Sequence, residues 1–199
     1  MGGSANRAHY APRVPNLQAG VYVLGPGNGT LSVRTKRTGA AAKAGHNLLL
    51  HVTAWQARLT IGADAAGSSL QLDVDGTSLR VIEGTGGMQA LGDDDKANIE
   101  ETVDEEVLKR EAVTFRSTGV IAAADGRSLG VTGDLTLLGT TRPLAFDVTL
   151  GDGGTLAAVA VVKQSDWGMK PYSALFGTLK VVDEVEVEIE VHLPDPQSL

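Results

Sequence analysis

The chain has 199 residues, of which 42% are hydrophobic and 4% aromatic, and its formal net charge at pH 7 is −7. This length and composition are typical of one globular domain with a core of Val, Leu and Ala. The negative charge argues against a nucleic-acid partner, which would need clustered Lys and Arg, and the absence of cysteine excludes disulfides and thiolate metal sites. We predict no metal and no cofactor.

The first sixteen residues predict a flexible N-terminal tail, because Pro and Gly recur there without any hydrophobic period. The sequence contains neither the apolar segment of a secretory signal nor an apolar stretch long enough to span a bilayer. We therefore expect a cytoplasmic protein with no membrane span, unless a leader has been removed from the native chain. A second tail is predicted at 195–199, so that the folded domain covers 17–194.

Short apolar stretches alternate with turn signals in the first half of the chain. Strands are predicted at 21–24, 30–38, 48–61, 70–74 and 79–82. The third of these is long enough to be one bent strand. The turns between them include "GPGNG" at 25–29 and "DGTS" at 75–78, which are rich in residues that favour tight turns.

One helix is predicted, over residues 94–110. An aspartate at its start, glutamates in its early part and basic residues at its end complement the helix dipole. Ile99, Val103 and Val107, spaced by four residues, form one narrow apolar stripe for docking. The Gly-rich segment just before the helix is predicted to be a mobile loop.

The chain after residue 112 has the pattern of strands throughout. Alternating apolar residues predict strands near 113–116, 129–137, 144–150, 155–162 and 185–193. The sequence "GDGG" at 151–154 predicts a hairpin turn between two of them. In the last strand, four glutamates occupy the face opposite the valines, and we interpret them as solvated charges that keep a sheet edge from pairing with other chains.

Strands that have one apolar and one polar face, and are joined by short turns, predict an antiparallel sheet with one solvated side. About eight such strands can close into a barrel, which removes the exposed edges. The inward positions of strand 155–162 are small or medium-sized, and they are Leu156, Ala158, Ala160 and Val162. Such side chains fill a barrel poorly. We therefore predict an all-β fold with one helix, an antiparallel barrel of about eight strands enclosing an apolar cavity.

Three motifs that suggest a metal or phosphate site are better explained by structure. His46 and His51 lie five residues apart around a strand start, so they project to opposite faces and do not form a zinc site. The "GPGNG" turn lacks the spacing of a phosphate-binding loop. The acidic segment at 93–104 lacks the central Gly of a calcium loop and fits a capped helix start.

Two interpretations fit the segment "QSDWG" at 164–168. A hydrolase hypothesis joins Ser165 and Asp166 to a histidine, which would have to be His46 or His51 approaching in space. No G-x-S-x-G elbow supports it. In the structural interpretation, Asp166 bonds the local backbone in an Asx-type turn and Trp167 plugs the barrel end. We favour the structural interpretation and predict no catalytic residue.

Several segments together carry a resemblance to a known family. They are "AGHNLLLHV", "GTSLRV", "EEVLKREAVTFRSTGV", "VTGDLTLLGTTRPLAFDVTL" and "KQSDWGMKPYSALFGTLKVVDEVEVEIEV". In this order and spacing, from about residue 17 to residue 193, they resemble the YceI family of lipocalin-like proteins. The resemblance implies a lipocalin-like barrel with a helix between its early and late strands. It also implies an isoprenoid ligand, since several members bind a polyprenyl group or a quinone tail inside the barrel.

The leading hypothesis is a non-enzymatic protein that binds, carries or sequesters a long apolar lipid, an isoprenoid or isoprenoid quinone, inside the barrel. A homodimeric scaffold with a filled barrel is an alternative, as is the hydrolase. We expect the loop 84–92 to act as a gate. The expected ligand-binding residues are Phe115, Leu135, Leu137, Phe146, Val148, Val187 and Ile189 in the lining, with Trp167, Met169 and Phe176 at one rim.

Overall fold

The computed structural model describes residues 17–124 and 126–194, so both predicted tails lie outside the described residues. One α-helix, α1 (Asp93–Thr102), is followed by a π-helical turn at Val103–Val107. The strands are β1 (Gly20–Leu24), β2 (Gly29–Thr35), β3 (Arg37–Thr38), β4 (Asn47–Val52), β5 (Trp55–Ile61), β6 (Ser69–Val74), β7 (Leu79–Thr85), β8 (Val113–Ala122), β9 (Ser128–Leu137), β10 (Thr140–Leu150), β11 (Thr155–Lys163), β12 (Ser173–Ala174), β13 (Leu179–Val181) and β14 (Glu184–His192). The predicted all-β fold with one helix is confirmed.

Eleven of these strands form one antiparallel sheet, in the order β1-β5-β6-β8-β9-β10-β11-β14-β2-β4-β7. Six of the eleven strands form three successive pairs, in which a bend separates β1 from β2, β4 from β5 and β6 from β7. We count each such pair, and each of the other five strands, as one chain path. Because β2 pairs with β14 and β4, and β5 carries the path of β4 on to β6, the pairings run in a closed circuit. The sheet therefore curls into a barrel. It has eight chain paths, although the bends raise the number of separate strands to eleven.

The chemistry of the turns explains two of these bends. In the bend between β1 and β2, the N–H of Asn28 donates to the Gly25 carbonyl at 3.1 Å, and the Asn28 side chain accepts from the Gly25 N–H at 2.8 Å. In the bend between β6 and β7, the Asp75 carboxylate accepts from the N–H of Thr77 at 2.9 Å and from the Thr77 hydroxyl at 2.8 Å. These bonds hold the pKa of Asp75 below its usual value. The turns fall where the sequence predicted them.

Helix α1 begins close to the predicted position and ends earlier than predicted. The N–H of Gly92 donates to the Asp95 carboxylate at 2.9 Å, which satisfies a backbone donor at the helix start. The Glu100 carboxylate accepts from the N–H of Val81 at 2.7 Å and so ties the helix to β7. Lys109 and Arg110 do not close the helix as expected, because both have left-handed backbone conformations, with φ of 52° and 59°.

A small second sheet, in the order β12-β13-β3, lies at one end of the barrel. Leu179 of β13 packs closely against Gly45, where an added Cβ would lie 2.6 Å from a leucine methyl carbon. The N–H of Val182 donates to the Lys36 carbonyl at 2.7 Å. This bond joins the residue after β13 to the residue after β2. This sheet therefore brings the segment after Met169 against the start of β4.

The glutamates of the last strand have partners that alternation alone did not show. Strand β14 lies between β11 and β2 and is not an edge, so the expected role of its glutamates in blocking edge pairing is wrong. Glu186 contacts Lys36 at 2.6 Å and Glu188 contacts Arg34 at 2.7 Å, across the β14–β2 pair. Donation by Lys36 lowers the pKa of Glu186. Glu186 and Glu188 thus form ion pairs with the neighbouring chain segment on the outer face, where each ion pair contributes little.

Gly133 of β9 allows the aromatic interior to pack. An added Cβ there would lie 2.4 Å from the Phe115 ring and 2.5 Å from the Arg116 carbonyl oxygen. The Phe115 ring in turn contacts Phe146, with 5.3 Å between ring centroids. This close approach explains why a glycine interrupts the apolar face of β9.

We expect Gly133→Ala to destabilise the protein by about 1–3 kcal/mol, since the new methyl group has to displace a ring and a strand carbonyl. The free energy of unfolding, measured by urea denaturation, checks this. Gly27→Ala is the control, because an added Cβ at Gly27 meets nothing within 4 Å. Equal stability of the two variants would contradict the packing described for Gly133.

Candidate functional site

The barrel encloses a cavity of about 590 Å³. This volume lies within the range of about 300–1,000 Å³ that is usual for small-molecule sites. Every strand of the eleven-stranded sheet contributes to the lining, which is mainly aliphatic. The barrel is therefore not filled by its own side chains, which removes the main support for the scaffold hypothesis.

The structure brings most of the predicted ligand-binding residues together around this cavity. They come from β8, β9, β10 and β14, with one from the segment after β11. Their contact with a ligand stays a prediction. The predicted residues that line the cavity are Phe115, Leu135, Leu137, Phe146, Val148, Met169, Val187 and Ile189.

The other two predicted residues lie elsewhere. Trp167 is 5% exposed and belongs to the hydrophobic core, and its indole N–H donates to the Leu135 carbonyl at 3.0 Å. It lies outside the cavity lining. Phe176 is fully exposed, because its left-handed backbone (φ 55°) in the turn between β12 and β13 directs it away from the barrel. The expected rim of three residues therefore reduces to Met169.

Small residues of β11 leave room in the barrel, as their size predicted. Ala158 lies opposite Ile189, and Ala160 lies opposite Val187, on the paired strand β14. Both alanines line the cavity, whereas Val159 between them is 54% exposed on the outer face. A larger side chain at either alanine would occupy the space that is now empty.

Part of the lining was not named from the sequence. Leu31, Val33 and Thr35 of β2 line the cavity, and their alternation with outward residues would have identified them. Helix α1 contributes Ile99, and the π-helical turn after it contributes Val103 and Val107. The predicted docking stripe of the helix thus forms one wall of the cavity.

The predicted gate, residues 84–92, includes the end of β7 and the loop that leads to α1. The Gln89 carbonyl lies 2.7 Å from the His46 ring nitrogen Nε2. Leu91 packs on Gly84, where an added Cβ would lie 2.2 Å from a leucine methyl carbon. Because His46 lines the cavity, this loop lies over one end of the barrel. Its opening stays a prediction.

The geometry around Ser165 supports the structural interpretation. The Ser165 hydroxyl and N–H both donate to the Asp183 carboxylate, the latter at 2.8 Å. The carboxylate that stabilises this turn is therefore Asp183 and not Asp166, contrary to the expected Asx-type turn. His46 contacts Gln89, and His51 is in β4 opposite Arg80, so neither histidine is a hydrogen-bond partner of Ser165.

We expect Ser165→Ala to raise the pKa of Asp183, because donation by the serine hydroxyl is the largest cause that lowers it. The lowered pKa stabilises the fold above the pKa of the unfolded chain, and this contribution is lost as pH falls through the folded value. The variant should therefore lose less stability on acidification. A carboxyl-carbon NMR titration of Asp183 checks the pKa. Asp166→Asn is the control and should leave this pKa unchanged.

No helix in the described ranges is long and apolar enough to cross a membrane. Within the same ranges, no three His, Cys, Asp or Glu side chains come close enough to hold a metal ion.

The barrel is similar to solved structures from two bacteria. BcnA of Burkholderia cenocepacia is 21% identical, with a TM-score of 0.59, over 82% of this chain and 94% of that protein. The YceI protein of Campylobacter jejuni is 15% identical, with a TM-score of 0.52, over 75% of this chain and 85% of that protein. At these identities, the similarity establishes the fold alone.

Comparison with curated protein sequences finds no significant match. A family model, in contrast, matches most of the chain, from residue 22 to residue 193, which is nearly the whole barrel. The matched range includes the cavity-lining strands, the helix and the Ser165 turn. The chain belongs to the family of YceI-like domains.

Proposed function

We propose that this protein binds a long apolar lipid, an isoprenoid or an isoprenoid quinone, inside the barrel and carries or sequesters it without catalysing a reaction. The observation that carries the proposal is the cavity of about 590 Å³ with its mainly aliphatic lining. The isoprenoid class follows from the resemblance to the family, since several members bind such chains.

Burial of the ligand's apolar surface provides the binding energy. Each 100 Å² of apolar surface removed from water contributes about 2.5 kcal/mol. Several isoprene units together offset the entropy cost of association, which is about 4–15 kcal/mol. Side chains such as Phe115 and Phe146 supply contact area. No charged contact to the isoprenoid tail is needed.

Entry of a chain into a closed barrel requires a moving element. The loop between β7 and α1 is the candidate, because it lies over one end of the barrel and contacts it through the Gln89 carbonyl and the His46 ring. Lipid uptake in this proposal proceeds by displacement of that loop. The ligand then lies among the lining residues of β8, β9, β10 and β14.

The test is to purify the protein from its own organism and to identify the bound molecules by native mass spectrometry and organic-solvent extraction. We expect a lipid that contains an isoprenoid chain, present in stoichiometric amount. Purified, delipidated protein should also bind an apolar fluorescent probe. Repeated extraction without any lipid, together with failure to bind the probe, would overturn the proposal.

A further inference from the structure

The charged side chains of the cavity lining have one sign. Arg37 and Lys180 are among the lining residues, and no Asp or Glu of the described chain is. The whole chain, in contrast, carries a formal net charge of −7. An acidic protein that places only cations around its cavity has a lining that favours negative charge in a ligand.

Polarity increases along one strand of the lining. Leu31, Val33, Thr35 and Arg37 follow one another at every second position of β2 and β3, and all four line the cavity. Lys36, between the last two, points outward to Glu186. The wall of the cavity therefore changes from aliphatic to hydroxyl to guanidinium towards one end.

Two features of this end indicate that a polar group of a ligand belongs there. The Thr35 hydroxyl oxygen is buried and has no hydrogen-bond partner, which is unfavourable unless a ligand supplies one. The Arg37 guanidinium donates to the main-chain carbonyls of Lys43 and Gly45, and no carboxylate of the described residues forms an ion pair with it. Its positive charge is therefore not balanced by a carboxylate of these residues.

Gln164 completes this polar end. It is buried, lines the cavity and donates from its amide nitrogen to the carbonyls of Val182 and Asp183 at 3.2 Å. These bonds fix the side chain on the segment that continues into β14. Val185 of β14 pairs with Val162, which lies two residues before Gln164. The next residue of β14, Glu186, pairs with Arg34, which is adjacent to Thr35. Gln164 and Thr35 therefore lie at the same end of the cavity.

We propose that Thr35 and Arg37 bind the anionic head group of the lipid, so that the preferred ligand is an isoprenoid phosphate or a similar anionic amphiphile and not a neutral isoprenoid. This inference rests on the proposed function, because it assigns the chemistry of one end of the same cavity. The tail extends from Thr35 past Val33 and Leu31 into the aliphatic part. Arg37 provides charge-assisted hydrogen bonds to the head group, and Thr35 donates its free hydroxyl.

The test uses three ligands with one chain and different head groups, namely geranylgeranyl monophosphate, geranylgeraniol and geranylgeranylamine. Each is measured by displacement of an apolar fluorescent probe from the delipidated protein. We expect the phosphate to bind about tenfold more tightly than the alcohol, the amine to bind most weakly, and the advantage of the phosphate to shrink at high salt.

Two variants assign this preference to the proposed residues. Arg37→Gln should remove most of the phosphate's advantage over the alcohol. Thr35→Val should reduce phosphate affinity about threefold while raising thermal stability, because it removes an unpaired buried hydroxyl without changing shape. The second variant keeps the test decisive if loss of the Arg37 bonds unfolds the barrel end. Lys36→Gln is the matched control and should change neither affinity.

Equal binding of the phosphate and the alcohol by the wild-type protein would overturn this inference and leave the proposed function intact. A phosphate preference that Arg37→Gln and Thr35→Val both retain would overturn the assignment of these residues. If none of the three ligands displaces the probe, the inference fails, and the extraction experiment decides separately whether the proposed function also fails.

Discussion

Replacement of Ala160 by Phe should weaken lipid binding at least tenfold while the protein remains folded. Ala160 lines the cavity and lies opposite Val187 of β14, so the new ring occupies ligand space. In a filled core such an insertion costs about 1–3 kcal/mol, but here the ring enters a cavity of about 590 Å³. Affinity falls because the ring removes apolar contact area that the ligand would otherwise bury.

Displacement of an apolar fluorescent probe measures this loss of affinity, and circular dichroism confirms the fold. Val161→Phe is the matched control, since Val161 is the next residue of β11 and is 53% exposed on the outer face. It adds a ring of the same size outside the barrel and should leave the affinity unchanged. If Ala160→Phe binds the probe as well as the wild type does, the ligand does not lie in the barrel.

The strands and their faces could be predicted from the sequence, but their partners could not. Alternation correctly indicated which residues of β11 and β14 face inward. It did not indicate that Glu186 and Glu188 contact Lys36 and Arg34, because these ion pairs join residues about 150 positions apart. Pairing between distant strands is a property of the whole fold, which is why β14 was wrongly expected to be an edge strand.

The bends in the barrel are a second feature that the sequence predicted only in part. The segment 48–61 was predicted to be one bent strand, and the structure confirms a continuous path through β4 and β5. The sequence did not show that the two halves pair with different neighbours, β4 with β2 and β7, and β5 with β1 and β6. Those partners close the barrel, and they depend on the twist of the complete sheet.

The site was predictable where regular strands form it and less so where turns do. The seven lining positions predicted on strands all reach the cavity. Phe176 does not, because the outcome in a turn depends on individual backbone angles, here two left-handed residues, Leu175 and Phe176, before Gly177. Asp183 stabilises the Ser165 turn from eighteen residues away, a contact that local sequence does not indicate.

Trp167 is expected to contribute more to stability than any other residue of the 164–168 segment. Its ring is 5% exposed within the hydrophobic core, and its indole N–H bonds the Leu135 carbonyl of β9 at 3.0 Å. Trp167→Ala leaves a cavity in the core and should cost about 3–5 kcal/mol of unfolding free energy. Trp167→Phe keeps most of the apolar contact but removes the indole hydrogen bond to that carbonyl, and should cost about 0.5–1.5 kcal/mol.

Urea denaturation of both variants measures these losses, with Phe176→Ala as the control. Phe176 is an aromatic residue of the same region but is fully exposed, so its removal should change the unfolding free energy by less than about 0.5 kcal/mol. Because Trp167 lies outside the cavity lining, Trp167→Phe should also bind the apolar probe as the wild type does. A folded Trp167→Phe variant with weakened probe binding would instead place the indole at the ligand, as the sequence first suggested. Unchanged binding with reduced stability would establish Trp167 as a structural plug that joins the Ser165 turn to β9.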